Sequence, residues 1–157
     1  MTVAEMTRID RSIEIKAPPE RVFRALTNPD ELGTWFKVKI EGEIVAGEEV
    51  WMTSLFKEGA CAGYRFAVKI LEVTPPRLFA WRWQPGVPDP KVDYSREPWT
   101  TVTFTLEPTA GGGTHLTVAE TGFDEVSLER RASVFGDNSK GWAEVLVWLR
   151  NYAETAH

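Results

Sequence analysis

Residues 78–84 read LFAWRWQ, and this short stretch decides the fold. Three large aromatic residues, Phe79, Trp81 and Trp83, alternate in it with smaller or polar ones. A period of two is typical of a β-strand that buries one face and leaves the other in water. We therefore expect an antiparallel sheet with a strongly aromatic inner face.

The strands on the C-terminal side repeat this pattern. Residues 101–106, TVTFTL, alternate threonine with apolar side chains, and residues 115–118, HLTV, do the same after the glycine turn at 111–113. On the N-terminal side, β-branched and aromatic runs from residue 38 onward are separated by turn signals such as Glu-Gly and Pro-Pro. The stretch from 38 to 118 thus predicts a meander of antiparallel strands.

The two ends of the chain complete the predicted fold. A strand over residues 8–16 leads, after Pro18 and Pro19, into two short helices that break at residues 28–30 and reach Phe36. Near the C-terminus, Asp137, Asn138 or Ser139 is predicted to cap a helix over residues 140–153. One face of that helix is apolar: Trp142, Val145, Leu146, Leu149, Tyr152 and Ala153.

The sheet offers the only large apolar surface that can cover this helix. The sequence therefore predicts an α+β, helix-grip fold: a curved antiparallel β-sheet wrapped around a long C-terminal helix, with two short helices after the first strand and an apolar cavity. Residues 1–7 are predicted to be a flexible arm, and residues 8–157 a single domain.

Composition limits the classes of function. The net charge is −5, and no cluster of Lys and Arg suits phosphate binding, so no nucleic acid partner is expected. Cys61 is the only cysteine, which excludes an intramolecular disulfide and favours a reducing, cytoplasmic location. No apolar run approaches the ~18 residues of a membrane span. Neither a metal nor another cofactor is predicted.

Four segments together resemble a known family. They are IEIKAPPERVFRALTNPDELGTWF (13–36), ILEVTPPRLFAWRW (70–83), TVTFTLEPTAGGGTHLTVAETGF (101–123) and GWAEVLVWLRNY (141–152). They resemble the START-like superfamily (SRPBCC, polyketide-cyclase and pollen-allergen-like), and its branch of activators of heat-shock protein 90 ATPase in particular. The resemblance implies a cavity between sheet and helix in a family whose members bind apolar ligands, modify them or bind chaperones.

The chain offers few groups for catalysis. Its histidines are His115, on the polar face of a strand, and the last residue, His157, so a metal pair or a catalytic triad is poorly supported. Glu120 is the candidate catalytic group, because its alternation with Leu116 and Val118 points it toward the apolar face. A carboxyl group buried without a partner holds its proton and can serve as a general acid or a ligand contact. Alternatively, Glu120 meets solvent or an arginine at the cavity mouth.

Aromatic residues dominate the predicted cavity lining, with Tyr64, Trp83 and Glu120 as polar contacts. The candidate ligand-binding residues are Trp35, Trp51, Tyr64, Phe66, Trp81, Trp83, Trp99, Glu120, Phe123, Trp142 and Leu146. A close-packed core would account for the same residues. Residues 84–98, which hold four prolines, are either a lid or an ordinary connection, and residues 123–131 are predicted to form a second gating loop.

Three functions remain open from the sequence. The first is binding of a small hydrophobic or amphipathic ligand, lipids included. The second is a cyclase, hydrolase or dehydratase that uses Glu120 with a tyrosine as its acid–base pair. The third is interaction with a chaperone. Exposed strand edges also make a homodimer a possible assembly.

Overall fold

Within residues 1–155, which the computed structural model of the protein describes, seven strands form one antiparallel sheet. The strands are β1 Arg8–Ile15, β2 Val38–Glu41, β3 Glu49–Ser54, β4 Arg65–Thr74, β5 Leu78–Trp83, β6 Thr100–Pro108 and β7 Thr114–Thr121. The helices are α1 Pro19–Thr27, α2 Pro29–Phe36 and α3 Leu128–Thr155. The order in the sheet is β1-β7-β6-β5-β4-β3-β2. This confirms the predicted helix-grip architecture.

The inner face of the sheet carries the core. Phe79 and Trp81 of β5 and Phe104 of β6 are fully buried, and their rings contact one another with centroids 5.2 to 6.0 Å apart. Burying a large apolar side chain contributes roughly 1.5–3 kcal/mol to folding, so this cluster is a main source of stability. Trp142 of α3 closes the cluster by packing its ring edge-on against Phe104.

The two short helices begin as the sequence predicts. Pro19 occupies the first turn of α1, where its missing N–H has no partner to lose. Asn28 ends α1 and caps α2, because its side chain accepts a hydrogen bond from Glu31 N. Glu31 in turn pairs with Arg21 of α1 and accepts a hydrogen bond from Tyr152 of α3. The helical bracket is thereby attached to the last turns of α3.

Helix α3 has 28 residues and is about four turns longer than the predicted helix over residues 140–153. It begins at Leu128, so residues 128–131 of the segment that the sequence suggested as a second gating loop are helical, and Phe123–Glu125 of that segment form a single 3₁₀ turn. Asp137 and Asn138 lie inside the helix rather than at its cap. Their side chains instead accept hydrogen bonds from Val87 N and Gly86 N of the 84–98 loop. The helix-capping interpretation of these residues was therefore wrong.

The N-terminal residues include one 3₁₀ turn over Val3–Glu5 that lies beside α3. Whether residues 1–7 move as a flexible arm stays a prediction. No helix within residues 1–155 is long and apolar enough to cross a membrane.

A substitution at Gly33 tests how closely α2 packs against the start of β2. A Cβ atom at this position would lie 2.7 Å from the Val38 carbonyl oxygen, a backbone atom that has little room to move. We expect Gly33→Ala to lower the free energy of unfolding by about 1–3 kcal/mol, measured by urea denaturation. Gly136→Ala is the matched control, because this glycine of α3 has open space around it. It should raise stability by up to about 1 kcal/mol. Equal effects of the two changes would contradict the packing described for α2.

Candidate functional site

Glu120 lies at the centre of the candidate site and has no exposed surface. It faces inward near the end of β7, opposite Val102 of β6 and Ile9 of β1. Gly122, two residues later, has a φ of 106° and turns the chain away from the strand. The alternation Leu116, Val118, Glu120 therefore places a carboxylate among apolar side chains, as the sequence indicates.

Five hydrogen bonds from four neutral side chains reach this carboxylate. Oε2 accepts from Thr100 Oγ1 at 2.6 Å and from Trp83 Nε1 at 2.9 Å. Oε1 accepts from Trp142 Nε1 at 2.8 Å, and Asn138 Nδ2 donates to both oxygens at 2.9 Å. Within residues 1–155, no Lys, Arg or His forms an ion pair with Glu120. Within the described residues, Glu120 therefore contacts neither solvent nor an arginine. The alternative that placed it at the cavity mouth was wrong.

The fold brings these donors together from three elements. Trp83 and Thr100 are register partners on β5 and β6, so both side chains point inward at the same end of the sheet. Asn138 and Trp142 are four residues apart on α3, which places them on one face of the helix. The Trp83 and Trp142 rings contact each other in a tilted arrangement, with centroids 5.7 Å apart. We call Glu120 with these four donors the carboxylate network.

Two small cavities adjoin the network. The first, of about 110 Å³, lies under the 84–98 loop and is lined by Ser54, Cys61, Tyr64, Phe66, Trp83, Gln84, Pro85, Gly86, Pro88 and Asn138. The second, of about 140 Å³, is lined by Phe36, Trp83, Asp137, Asn138, Gly141, Trp142 and Val145. We call them the loop cavity and the aromatic cavity. Trp83 and Asn138 line both, so these two side chains lie between them.

Tyr64 lines the loop cavity and also an outer groove of about 310 Å³ beside Trp51 and Trp99, and its hydroxyl group lacks an internal partner among residues 1–155. Among the described residues, none forms a hydrogen bond with the Tyr64 hydroxyl. Burial raises the pKa of Tyr64, with further contributions from Tyr94 and Cys61, so the hydroxyl keeps its proton at neutral pH. Burial and the nearby Asp137 also raise the pKa of the Cys61 thiol. Tyr64 is thus a hydrogen-bond donor, and Cys61 is not primed as a nucleophile.

Hydrogen bonds fasten the 84–98 loop over the loop cavity. Asn138 Oδ1 accepts from Gly86 N at 2.9 Å, while its amide nitrogen donates to Glu120. Within the loop, the Gln84 side chain donates to the carbonyl groups of Tyr94 and Glu97. Asn138 therefore links the carboxylate network directly to the covering loop.

The structure places the other candidate residues outside this site. Trp35, Trp81, Phe123 and Leu146 are buried core residues that line neither cavity. The Trp35 indole donates to Ala25 O at 2.7 Å, whereas the buried Trp81 indole N–H has no hydrogen-bond partner among residues 1–155.

Trp51 and Trp99 also lie apart from both cavities, on the outer side of the sheet. Trp51 alternates with the buried Val50 and Met52, and the cations of Arg65 and Lys69 each lie 4.1 Å from the ring centre of Trp51 and Trp99, respectively. The interpretation of these two residues as part of the inner cavity was wrong, because strand alternation separates the two faces without saying which one faces the helix.

Neither histidine is found in the candidate site within the described residues. His115 is on the outer side of β7 and hydrogen-bonds to Glu14 of β1. His157 lies outside the described residues. Within residues 1–155, no group of three or more His, Cys, Asp or Glu side chains is arranged to hold a metal ion.

Residues 16–154 match the family model described as Activator of Hsp90 ATPase homolog 1-like protein. The chain belongs to this family. The match confirms the resemblance to the START-like branch and covers every residue of the carboxylate network. A comparison with curated proteins gave no match.

Solved structures agree with this family assignment. Protein MLL2253 from Mesorhizobium loti is 26% identical, with a TM-score of 0.74 over 96% of this chain and 98% of that one. The Aha1 dimer from Colwellia psychrerythraea is 24% identical, with a TM-score of 0.68 over 94% and 96% of the two chains.

A third structure matches over part of its length. DynU16, described as a putative protein in the dynemicin biosynthetic locus, is 20% identical with a TM-score of 0.70. It matches 95% of this chain, which spans 48% of that one. The last two similarities show the shared fold alone.

Proposed function

We propose that the protein binds a small amphipathic molecule in the two cavities beside Trp83. The observation that carries this proposal is Tyr64, which lines the mostly apolar loop cavity and whose hydroxyl has no hydrogen-bond partner among the described residues. Binding sites for small molecules commonly combine apolar walls with a few polar groups that fix orientation. Family membership supports a ligand-binding fold in general, without naming the ligand.

The size of the cavities limits the ligand. A cavity of roughly 150 Å³ accommodates one benzene ring, and the loop and aromatic cavities measure about 110 and 140 Å³. Since Trp83 and Asn138 lie between them, each cavity by itself accommodates at most a group of about one ring. A long lipid chain requires the 84–98 loop to open.

The acid–base alternative fits this geometry less well. A general acid or base must reach the reacting atom, directly or through one water molecule. Glu120 has no exposed surface, and both its oxygens are already occupied by hydrogen-bond donors. Its clearest role is structural, because it fixes the positions of Trp83, Asn138 and Trp142.

Interaction with a chaperone and self-association remain alternatives. The first rests on the description of the family, and the second on a relative whose solution structure is a dimer. Neither is tied to a particular group of side chains in this chain, whereas ligand binding is.

Acetophenone, one ring with one carbonyl acceptor, is a suitable probe of the site. We expect it to bind to the purified protein, because the Tyr64 hydroxyl can donate to its carbonyl oxygen. Tyr64→Phe should weaken binding about 3- to 10-fold, the effect of losing one hydrogen bond. Affinity is measured by titration with ligand-observed NMR.

The matched control is Tyr152→Phe, since that hydroxyl donates to Glu31 at 3.0 Å and lines neither cavity. This change should leave the affinity for acetophenone unaltered. If acetophenone does not bind, or binds the wild-type and Tyr64→Phe proteins equally, the proposed orientation at Tyr64 is wrong.

A further inference from the structure

Among residues 1–155, the side chains that line the aromatic cavity include an acidic group and no basic one. Glu120 is fully buried and its four partners are neutral, so its negative charge has no counterion among the described residues. Asp137 adds a second carboxylate to the wall of the aromatic cavity. No Lys, Arg or His among residues 1–155 lines either cavity, and Arg11 of β1 donates a hydrogen bond to Ser139 of α3 instead.

The aromatic cavity combines this negative field with three aromatic rings. The Phe36 and Trp83 rings stack with centroids 6.2 Å apart, and Trp83 and Trp142 lie 5.7 Å apart. The cavity of about 140 Å³ that they line matches a compact group of one-ring size. Aromatic faces surrounding a small cavity attract cations through the ring quadrupole.

The carboxylate network strengthens this preference. Both indoles donate their N–H to Glu120, at 2.9 and 2.8 Å, so a negative charge lies at the edge of each ring. A hydrogen bond to an anion polarises its donor, which increases the electron density on the indole face. The buried carboxylate can therefore favour a cation in the cavity without touching it.

We propose that the ligand of this site carries an ammonium group, methylated or primary, that binds in the aromatic cavity among Phe36, Trp83 and Trp142, beside Asp137. This inference rests on the proposed function and specifies its ligand class. It accounts for the acidic surroundings of the aromatic cavity. Asp137 lines the cavity, Glu120 binds the indoles of Trp83 and Trp142, and no basic side chain among the described residues lines it. Anionic amphiphiles such as fatty acids are disfavoured by the same field.

Choline and 3,3-dimethylbutan-1-ol provide the test, because they have nearly the same shape and differ in the positive charge. We expect choline to bind about tenfold more tightly than the alcohol, measured by calorimetric or NMR titration. Asp137→Asn should reduce this ratio about threefold or more while preserving the acceptor for Val87 N. Asp30→Asn, at an exposed position of α2, is the matched control and should leave the ratio unchanged.

Each outcome decides between the proposals. If the alcohol binds as tightly as choline, or neither probe binds while acetophenone does, the ammonium inference is overturned and the proposed function stands. If acetophenone also fails to bind, both are overturned. Phosphatidylcholine vesicles separate two sources of the same group: binding of choline without retention on vesicles indicates a free ligand, and retention indicates a lipid headgroup.

Discussion

Replacing Glu120 with alanine is expected to lower the free energy of unfolding by about 3 kcal/mol or more. The change removes the acceptor for five hydrogen bonds, and the donors of Trp83, Thr100, Asn138 and Trp142 would be left together inside the protein. A buried donor without a partner costs about 1–3 kcal/mol. Urea denaturation monitored by tryptophan fluorescence measures the effect.

Glu120→Gln keeps the shape of the side chain and replaces one carboxylate oxygen with an NH₂ group. Glutamine keeps one acceptor but directs an NH₂ group at side chains that are themselves donors. Turning the Asn138 amide around to accept would leave Gly86 N without its own acceptor. We expect a loss of about 1–2 kcal/mol, with weaker attachment of the 84–98 loop. Glu107→Gln, at an exposed position of β6, is the control and should change stability by less than about 0.5 kcal/mol. A Glu120→Ala protein as stable as this control would contradict the carboxylate network.

Trp142→Ala should be the second strongly destabilising change, at about 3–5 kcal/mol. Trp142 is 3% exposed, packs against Trp83 and Phe104, and donates to Glu120 Oε1. Trp142→Phe keeps a ring but removes the N–H, so we expect about 1–2 kcal/mol from the lost hydrogen bond and volume. The same denaturation measurement applies.

Two comparisons make this prediction specific. Trp148→Ala, six residues further along α3, removes a half-buried indole that faces Lys37, and should cost less than half as much as Trp142→Ala. Trp142→Phe and Glu120→Gln share a hydrogen bond, so their combined effect should be smaller than the sum of the two. Additive effects would show that Trp142 acts by burial alone, and equal losses at positions 142 and 148 would contradict the core position described for Trp142.

Local periodicity was sufficient to predict the fold and the direction of Glu120. The alternation on β5, β6 and β7 depends only on neighbouring residues, and on these strands its apolar side chains are the ones that face inward. The partners of Glu120 were harder to find, because Thr100 and Asn138 reach it through strand register and helix docking. The one available signal was spacing: Thr100 lies two residues before the inward Val102, and Asn138 lies four before Trp142.

The errors arose where one residue type serves two purposes. Asp137 and Asn138 are typical helix caps, yet here they bind the backbone of a loop about fifty residues away. Trp51 and Trp99 are as apolar as Trp83, but on the outer face each is covered by a cation instead of the core. Composition alone does not distinguish these environments.

The most direct test of ligand binding beside Trp83 is a crystal structure of the protein soaked with 4-bromoacetophenone. We predict an anomalous bromine peak in the loop or aromatic cavity, with the carbonyl oxygen within hydrogen-bond distance of the Tyr64 hydroxyl. A structure with both cavities empty, or with bromine only on the outer side of the sheet beside Trp51 and Trp99, would contradict the account.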